Sequence, residues 1–428
     1  MQISNMPPKG TADWFPEEFK IRKYIFDTWR SVCLSYGFQE YLGPLVESTD
    51  IWKAKSGEDV GGSELTQITN RNGELDGLAI RPEMTPSVTR MVSRKWKEID
   101  KPIKWFSIAN FYRNEKPQKG RNREFWQLNA DIFGEAGSNA DTEILTLSLE
   151  LMRAFSAPKW SYKLKLNHRG VINDFFSLVL DISDETVKRD LMRLLDKYAK
   201  MKREVFDEQL EELGLQNESK IIHTFMSAKT ISDLQTAFVS LSNSENFREF
   251  TSIMKSLENL WYSSEIEFSW NLIRGFDYYD GIIFEMFDQN PENPRALFGG
   301  GRYNGLASIF GVKEDIPAIG FAPGDETMKL FLEGHNLLED IQNSHPEKYY
   351  FPLLEWVMFE DVQKLAAILR LEGKNVELWL SEKKLWKAIK YADKNHCSHI
   401  VILGQEESEK NQYILKNLKT SEENSISI

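Results

Sequence analysis

The chain has 428 residues, 41% hydrophobic and 28% charged, an ordinary globular balance that predicts about two to four domains. The net charge of −12 excludes a general polyanion binder, so any nucleic-acid contact must come from local basic patches. Two cysteines, Cys33 and Cys397, cannot form a disulfide framework, the longest apolar runs are too short to span a membrane, and the start MQISNMPPKG lacks a secretory pattern; a cytoplasmic protein without membrane contact is expected.

Pro16 with Glu17 and Glu18 predicts a helix start, and Ile21, Ile25, Trp29, Val32 and Tyr36 recur at helical spacing up to Gly37. Strand-like runs follow. Asn72-Gly73 between Leu65–Ile68 and Leu78–Ile80 predicts a hairpin. Lys104–Arg113 and Phe125–Phe133 read as two more strands joined by a polar loop, and strands in meander order imply an antiparallel sheet. Residues 160–262 open with the alternating Tyr162, Leu164 and Leu166, then become helical through Leu191, Leu194, Leu195, Tyr198, Met201, Val205 and Leu210, and again through Phe250, Ile253, Met254, Leu257 and Leu260. This segment reads as an inserted domain. Residues 263–335 return to strands and glycine, and 332–348 look like a linker. From 347 to 428 strand and helix alternate: a strand Leu353–Met358, a helix capped by Asp361, a strand Val376–Leu380, a helix capped by Ser381 and a strand His399–Leu403 predict α/β with a parallel sheet. The ending SEENSISI reads as a polar tail.

Chemistry concentrates in a few segments. Period 2 puts Phe125, Gln127, Asn129 and Asp131 on one strand face and Trp126, Leu128, Ala130 and Ile132 on the other. Arg113 and Glu115 stand at the end of the preceding strand, and the loop between adds Lys116, Lys119, Arg121 and Arg123. From Arg81 to Phe125 there are twelve basic and five acidic residues in an otherwise acidic chain. Arginines beside a polar sheet face suit bidentate phosphate contact, although a basic hairpin tip alone also fits a solvated loop. In IRPEMTPSV, Pro82 and Pro86 shape the backbone around Glu83, an acid suited to an ammonium group or, taken alone, a surface carboxylate. NLIRGFDYYDGIIFEMF places Arg274, Tyr278 and Tyr279 before an apolar strand, and Gly299–Gly301 follow in LFGGGRYNGL, where a close backbone approach or a simple turn is possible. Lys383, Lys387, Lys390 and Lys394 are spaced to share one helix face, either solvated or in contact with an RNA backbone. The histidines are scattered, and the cluster His396, Cys397 and His399 lacks a second set of ligands, so no metal site is expected; no P-loop pattern exists.

Together these segments resemble histidyl-tRNA synthetase, a class II aminoacyl-tRNA synthetase. PPKGTADWFPEE is similar to the family's opening, and the first helix plus GFQEYLGPLVE to motif 1, with Pro44 at the dimer-interface position. FYRNEKPQKGRNREFWQ (111–127) resembles motif 2, and LIRGFDYYDG and GGGRYNGL the two histidine signatures. The resemblance implies an α+β catalytic domain on an antiparallel sheet, in parts 1–159 and 263–335, with the helical insertion 160–262 and a C-terminal α/β anticodon-binding domain at 347–428. It implies a homodimer that joins L-histidine to ATP, with Mg²⁺ accompanying the pyrophosphate, and passes the histidyl group to tRNA(His). Glu83, Met84, Thr85 and Gln127 would hold histidine's α-amino end, Asp131 and Tyr279 its imidazole, with Tyr278 lining the pocket. Arg113 and Arg274 would grip the α-phosphate as catalytic residues, Glu115 the adenine side and Arg121 the outer phosphates. Gln118 and Lys119 would meet the acceptor end of the tRNA, and Lys383, Lys387, Lys390 and Lys394 its anticodon arm. One position departs: in GDETMK, Thr327 stands where motif 3 usually carries an ATP-binding arginine. That departure leaves an alternative, the synthetase-like regulatory subunit of ATP phosphoribosyltransferase.

Overall fold

Pro16 opens the first helix, Pro16–Ser35, where its missing N–H costs nothing, and Ile21, Ile25, Trp29 and Cys33 are buried along one side. This helix packs on a sheet whose buried face carries Leu128, Ala130 and Ile132. In the computed structural model, which describes residues 3–53, 62–198, 201–270, 272 and 279–428, the chain divides into two units, Met1–Glu339 and Asp340–Ile428.

The first unit is built on an eight-stranded sheet. Its order is Gln39–Glu40, Ile103–Tyr112, Glu124–Phe133, Ala318–Phe321, Ala296–Arg302, Ile282–Asp288, Tyr162–His168 and Ile266–Phe268. The six central strands pair antiparallel, and only the two edge strands join in parallel. The longest ladder runs from Ile103 opposite Phe133 to Tyr112 opposite Glu124. Helices Pro16–Ser35, Ser138–Ala154 and Asp325–Gly334 share a core with one face of this sheet. A smaller antiparallel sheet of Val46–Ser48, Leu75–Ile80 and Thr66–Thr69 contains the hairpin, with Gly73 at φ +84 in its turn.

The strand Tyr162–His168, at the head of the segment read as an insertion, belongs to the large sheet, and the helices of that segment start at Arg169. The expected continuous run is two helices, Glu185–Leu195 and Arg203–Glu212. Phe206 and Leu210 are buried in the second, whereas Val205 is exposed. Asp184 caps the first of these by accepting from the Thr186 N–H at 2.7 Å. Leu260, expected in the core of the later helix, lies past its end and is exposed.

In the second unit the sheet order is Val376–Glu382, Tyr349–Leu353, His399–Ile402, Gln412–Asn417 and Glu423–Ser427. The first three are parallel and the last two antiparallel. The first strand of this unit in sequence is Tyr349–Leu353, not Leu353–Met358, and all five of its residues are buried. A strand buried on both faces shows no alternation to mark its ends in sequence. The ending SEENSISI is not a free tail, since Glu423–Ser427 pairs with Gln412–Asn417. The two helices begin at Phe359 and Leu385, and neither Asp361 nor Ser381 caps them. Residues 332–348 include the short helix Glu339–Asn343.

Candidate active site

The second face of the large sheet carries the polar residues. Strand pairing aligns Ser107 with Asn129, Trp105 with Asp131, and Asp131 in turn with Gly320, which pairs with Gly301. The two glycines make room for the site. A Cβ on Gly320 would stand 2.0 Å from Asp131 Oδ1, and one on Gly301 would stand 2.8 Å from the Tyr279 ring. Gly300 faces the opposite way, where Phe284 and Phe321 close over it. The triplet is therefore a strand that lets side chains lie flat across a sheet.

Asp131 is the centre of this face. Tyr303 donates its hydroxyl proton to Asp131 Oδ1 over 2.5 Å. Burial pushes the Asp131 carboxyl up to about 7, against the downward pull of that hydrogen bond. Burial and the same carboxylate hold the Tyr303 hydroxyl well above its ordinary range. Among the described residues, Asp131 Oδ2 and Asn129 Nδ2 are buried with no protein partner. Buried polar atoms of this kind call for a ligand or water that completes them.

The segment Arg81–Thr85 is docked against the neighbouring strand. Buried Arg81 donates from Nε to the Asn110 carbonyl at 2.9 Å and from Nη1 to the Gly43 carbonyl at 2.9 Å. Glu83 and Met84 are buried, and Thr85 begins the helix Thr85–Lys95. Gln127 donates from Nε2 to the Ala322 carbonyl at 3.2 Å, which ties its strand to the Gly320–Gly324 stretch.

Arg113 lies at the end of the strand Ile103–Tyr112. Its Nε donates to the Pro82 carbonyl at 3.0 Å and its guanidinium carbon sits 5.0 Å from the Phe125 ring centroid. No carboxylate pairs with it among the described residues, so its outer nitrogens remain for an anion. Glu115 forms an ion pair with Arg121 at 3.1 Å. Gln118 and Arg121 bond each other's backbones across the loop tip, and Gln118 Oε1 accepts from Arg295 at 2.8 Å. Lys119 is exposed there. Arg274 and Tyr278 lie outside the described residues.

Thr327 is occupied by the backbone. Its Oγ1 lies 2.7 Å from the Leu297 carbonyl and 3.0 Å from that of Gly324, so its single proton is committed within the fold. The two preceding acids hold the first helix: Asp325 pairs with buried Arg22 at 2.7 Å and accepts from the Trp126 N–H at 2.9 Å, while Glu326 pairs with Arg22 at 2.5 Å. In the second unit, Lys383 precedes its helix, with its ammonium 3.5 Å from the Trp379 centroid and 4.2 Å from that of Tyr391. Lys387, Lys390 and Lys394 are exposed on the helix itself.

Two residues of this constellation were not singled out by the sequence reading. Tyr303 stood next to the glycine triplet, and its only signal was that adjacency. Arg81 stood next to Pro82, and its burial could be read only from a fold. Among the described residues, no group of three or more His, Cys, Asp or Glu side chains is placed to hold a metal, and no helix is long and apolar enough to cross a membrane.

The chain as a whole has counterparts among known proteins. The family model described as histidyl-tRNA synthetase matches residues 10–326, and one described as anticodon binding domain matches 352–428. The chain is 37% identical over 412 residues to a Histidine–tRNA ligase of Leptospira biflexa, covering 96% of this chain and 92% of the relative. It is 33% identical to the Histidine–tRNA ligase of Opitutus terrae, covering 97% and 94%. The crystal structure of histidyl-tRNA synthetase from Nostoc sp. PCC 7120 has the same fold, with a TM-score of 0.81 at 22% identity over 100% of this chain and 97% of that one. The chain belongs to the histidyl-tRNA synthetase family, and its architecture is that of a class II aminoacyl-tRNA synthetase with an anticodon-binding domain.

Proposed function

We propose that this chain is a histidine–tRNA ligase that makes histidyl-adenylate from L-histidine and ATP and then charges tRNA(His). The observation that carries the reading is the buried Asp131, bonded on one oxygen by Tyr303 and, among the described residues, without a partner on the other. An imidazole N–H is a donor of the right kind for that oxygen, and Tyr279 lies over Gly301 beside it. Glu83, with Met84, Thr85 and Gln127, would take the α-amino end.

In the first step a carboxylate oxygen of histidine attacks the α-phosphorus, and the bond from that phosphorus to the bridging oxygen breaks. Pyrophosphate leaves with the Mg²⁺ that ATP brought as part of the substrate. Arg113, whose outer guanidinium nitrogens have no acid partner among the described residues, would meet the α-phosphate oxygens as charge develops there, and Arg274 would approach from the other side. Glu115 would meet the adenine and Arg121, released from Glu115, the outer phosphates. In the second step a hydroxyl of the terminal ribose attacks the histidyl carbonyl and AMP leaves. Gln118 and Lys119 would face the acceptor end. Lys387, Lys390 and Lys394 would contact backbone phosphates of the anticodon arm, with Lys383 fixing the turn before them. The reaction belongs to translation, so the protein would work in the cytoplasm. Leu42, Leu45 and Val46 are exposed around Pro44, apolar surface that supports a homodimer. Sedimentation at micromolar concentration would return a monomer if that pairing is wrong.

The regulatory-subunit reading has less support, because relatives covered over more than nine-tenths of their length carry the ligase name. Pyrophosphate exchange into ATP, measured with each of the twenty amino acids, separates the two. Exchange should occur with histidine alone. No exchange, together with tight binding to an ATP phosphoribosyltransferase, would establish the regulatory subunit instead.

A further inference from the structure

Two tryptophans of the second unit are exposed to nearly the same degree, and the charge around them differs. Trp386, 62% exposed, stands in the first turn of the helix Leu385–Lys394. Lys384 and Lys387 flank it in sequence and Lys390 stands one helical turn on; all three are exposed, and the Lys387 ammonium lies 5.4 Å from the ring centroid. Trp356, 59% exposed, is stacked on Phe359 with centroids 5.0 Å apart. Its setting is acidic: Glu355 precedes it, Glu360 follows, and Glu382 accepts from its backbone N–H at 2.6 Å.

The turn that presents Trp386 is braced. The Lys383 ammonium is held against Trp379 and Tyr391, and those rings are fixed in turn. Trp379 Nε1 donates to Ser381 Oγ at 2.9 Å, and the Tyr391 hydroxyl donates to Glu377 at 2.7 Å. An indole face held open to water among ammonium groups has two uses for a strand of RNA. The ring stacks on a base of any identity, and the ammonium groups meet the phosphates on either side. The same indole among carboxylates would repel those phosphates.

We infer that Trp386 is a stacking platform for an unpaired base of an RNA loop, with Lys387 and Lys390 holding the flanking phosphates. The inference rests on the reading that this chain charges tRNA, and it adds a base contact to the phosphate contacts of the second unit.

The test uses the full-length protein and an RNA hairpin with the sequence of the tRNA(His) anticodon stem and loop, with a blunt duplex as control. Trp386→Ala should weaken hairpin binding about tenfold or more, and by the same factor at low and high salt, because stacking releases no counterions. Trp386→Phe should keep most of the affinity and Trp386→Leu should not, which separates a π-face from apolar bulk. Lys387→Ala with Lys390→Ala should instead flatten the log–log salt slope by roughly 0.7 per lost contact. Trp356→Ala should bind as wild type. Unchanged hairpin affinity in Trp386→Ala, equal loss in Trp356→Ala, or full affinity in Trp386→Leu would overturn the proposal. Loss of self-association in Trp386→Ala with hairpin binding intact would overturn it in favour of a second copy of the chain. Histidine-dependent pyrophosphate exchange on the same samples separates the two levels. Exchange that persists while binding ignores Trp386 sinks this inference alone, and absence of both exchange and hairpin binding in the wild type sinks the ligase reading with it.

Discussion

The Tyr303 hydroxyl and the Asp131 carboxylate meet at 2.5 Å on a sheet face floored by glycine, and the second carboxylate oxygen is buried with no partner among the described residues. The bond favours the ionised acid, while burial favours the neutral one and prevails, pushing the group up to about 7. Tyr303→Phe removes the favouring contact and should move the acid's titration higher. The profile of histidine KM against pH, measured by pyrophosphate exchange, should shift upward by a resolvable amount in Tyr303→Phe. A profile identical to wild type would remove Asp131 from histidine binding. The sign for stability is the reverse of that for an ordinary paired carboxylate. Between the unfolded value near 3.8 and about 7 the unfolded chain has released a proton that the folded chain keeps, so this group's contribution falls as pH rises through that window and levels off above it.

Gly301 and Gly320 should tolerate no side chain. In Gly320→Ala the added carbon meets Asp131 Oδ1 and the Ala130 carbonyl, and in Gly301→Ala it meets the Tyr279 ring and the Ile282 carbonyl. Overpacking of this order destabilises by about 1–3 kcal/mol. Each variant should raise KM for histidine more than KM for ATP, with a lowered Tm. A rise confined to ATP would mean that the glycines floor a different subsite.

Arg113 has nitrogens to spare and no acid to neutralise it among the described residues. Arg113→Ala should lower the exchange kcat by about 10²–10³, the usual loss for one preorganised donor, with a small change in histidine KM. Arg113→Lys should recover little, because a single ammonium cannot reproduce the fork. Equal losses in histidine affinity and in rate would make Arg113 a ground-state ligand.

Arg22 and Asp325 form a buried pair far apart in sequence. Burial pushes Asp325 up to about 7, and Arg22 pulls it down. Arg22→Ala leaves Asp325 and Glu326 without their cation, so thermal melting should show a loss of about 3–5 kcal/mol, the usual cost of removing one partner of a buried pair, and Asp325 should take up a proton. Arg22→Ala with Asp325→Asn should recover part of it. A single variant that melts as wild type would mean that the pair contributes nothing.

Much of the candidate site was legible because it is local. Strand period alone put Gln127, Asn129 and Asp131 on one face, and the structure has them on the polar face of a ten-residue strand. The first helix was legible for the same reason: Pro16 at its start and a buried stripe from Ile21 to Cys33. Contacts between distant segments were not. Nothing near Asp131 in the chain announces Tyr303, 172 positions away, because strand order decides which neighbour it meets. Tyr162–His168 alternates like any half-exposed strand, and only its pairing with Ile282–Asp288 assigns it to the large sheet. Lys383 fitted the helical spacing of the other lysines, yet Trp379 and Tyr391 draw its ammonium onto their rings before the helix begins. Residue chemistry and short-range periodicity were decided by the sequence itself; which polar atoms end up paired, buried or left open was decided by the tertiary packing that brings remote segments within hydrogen-bond reach.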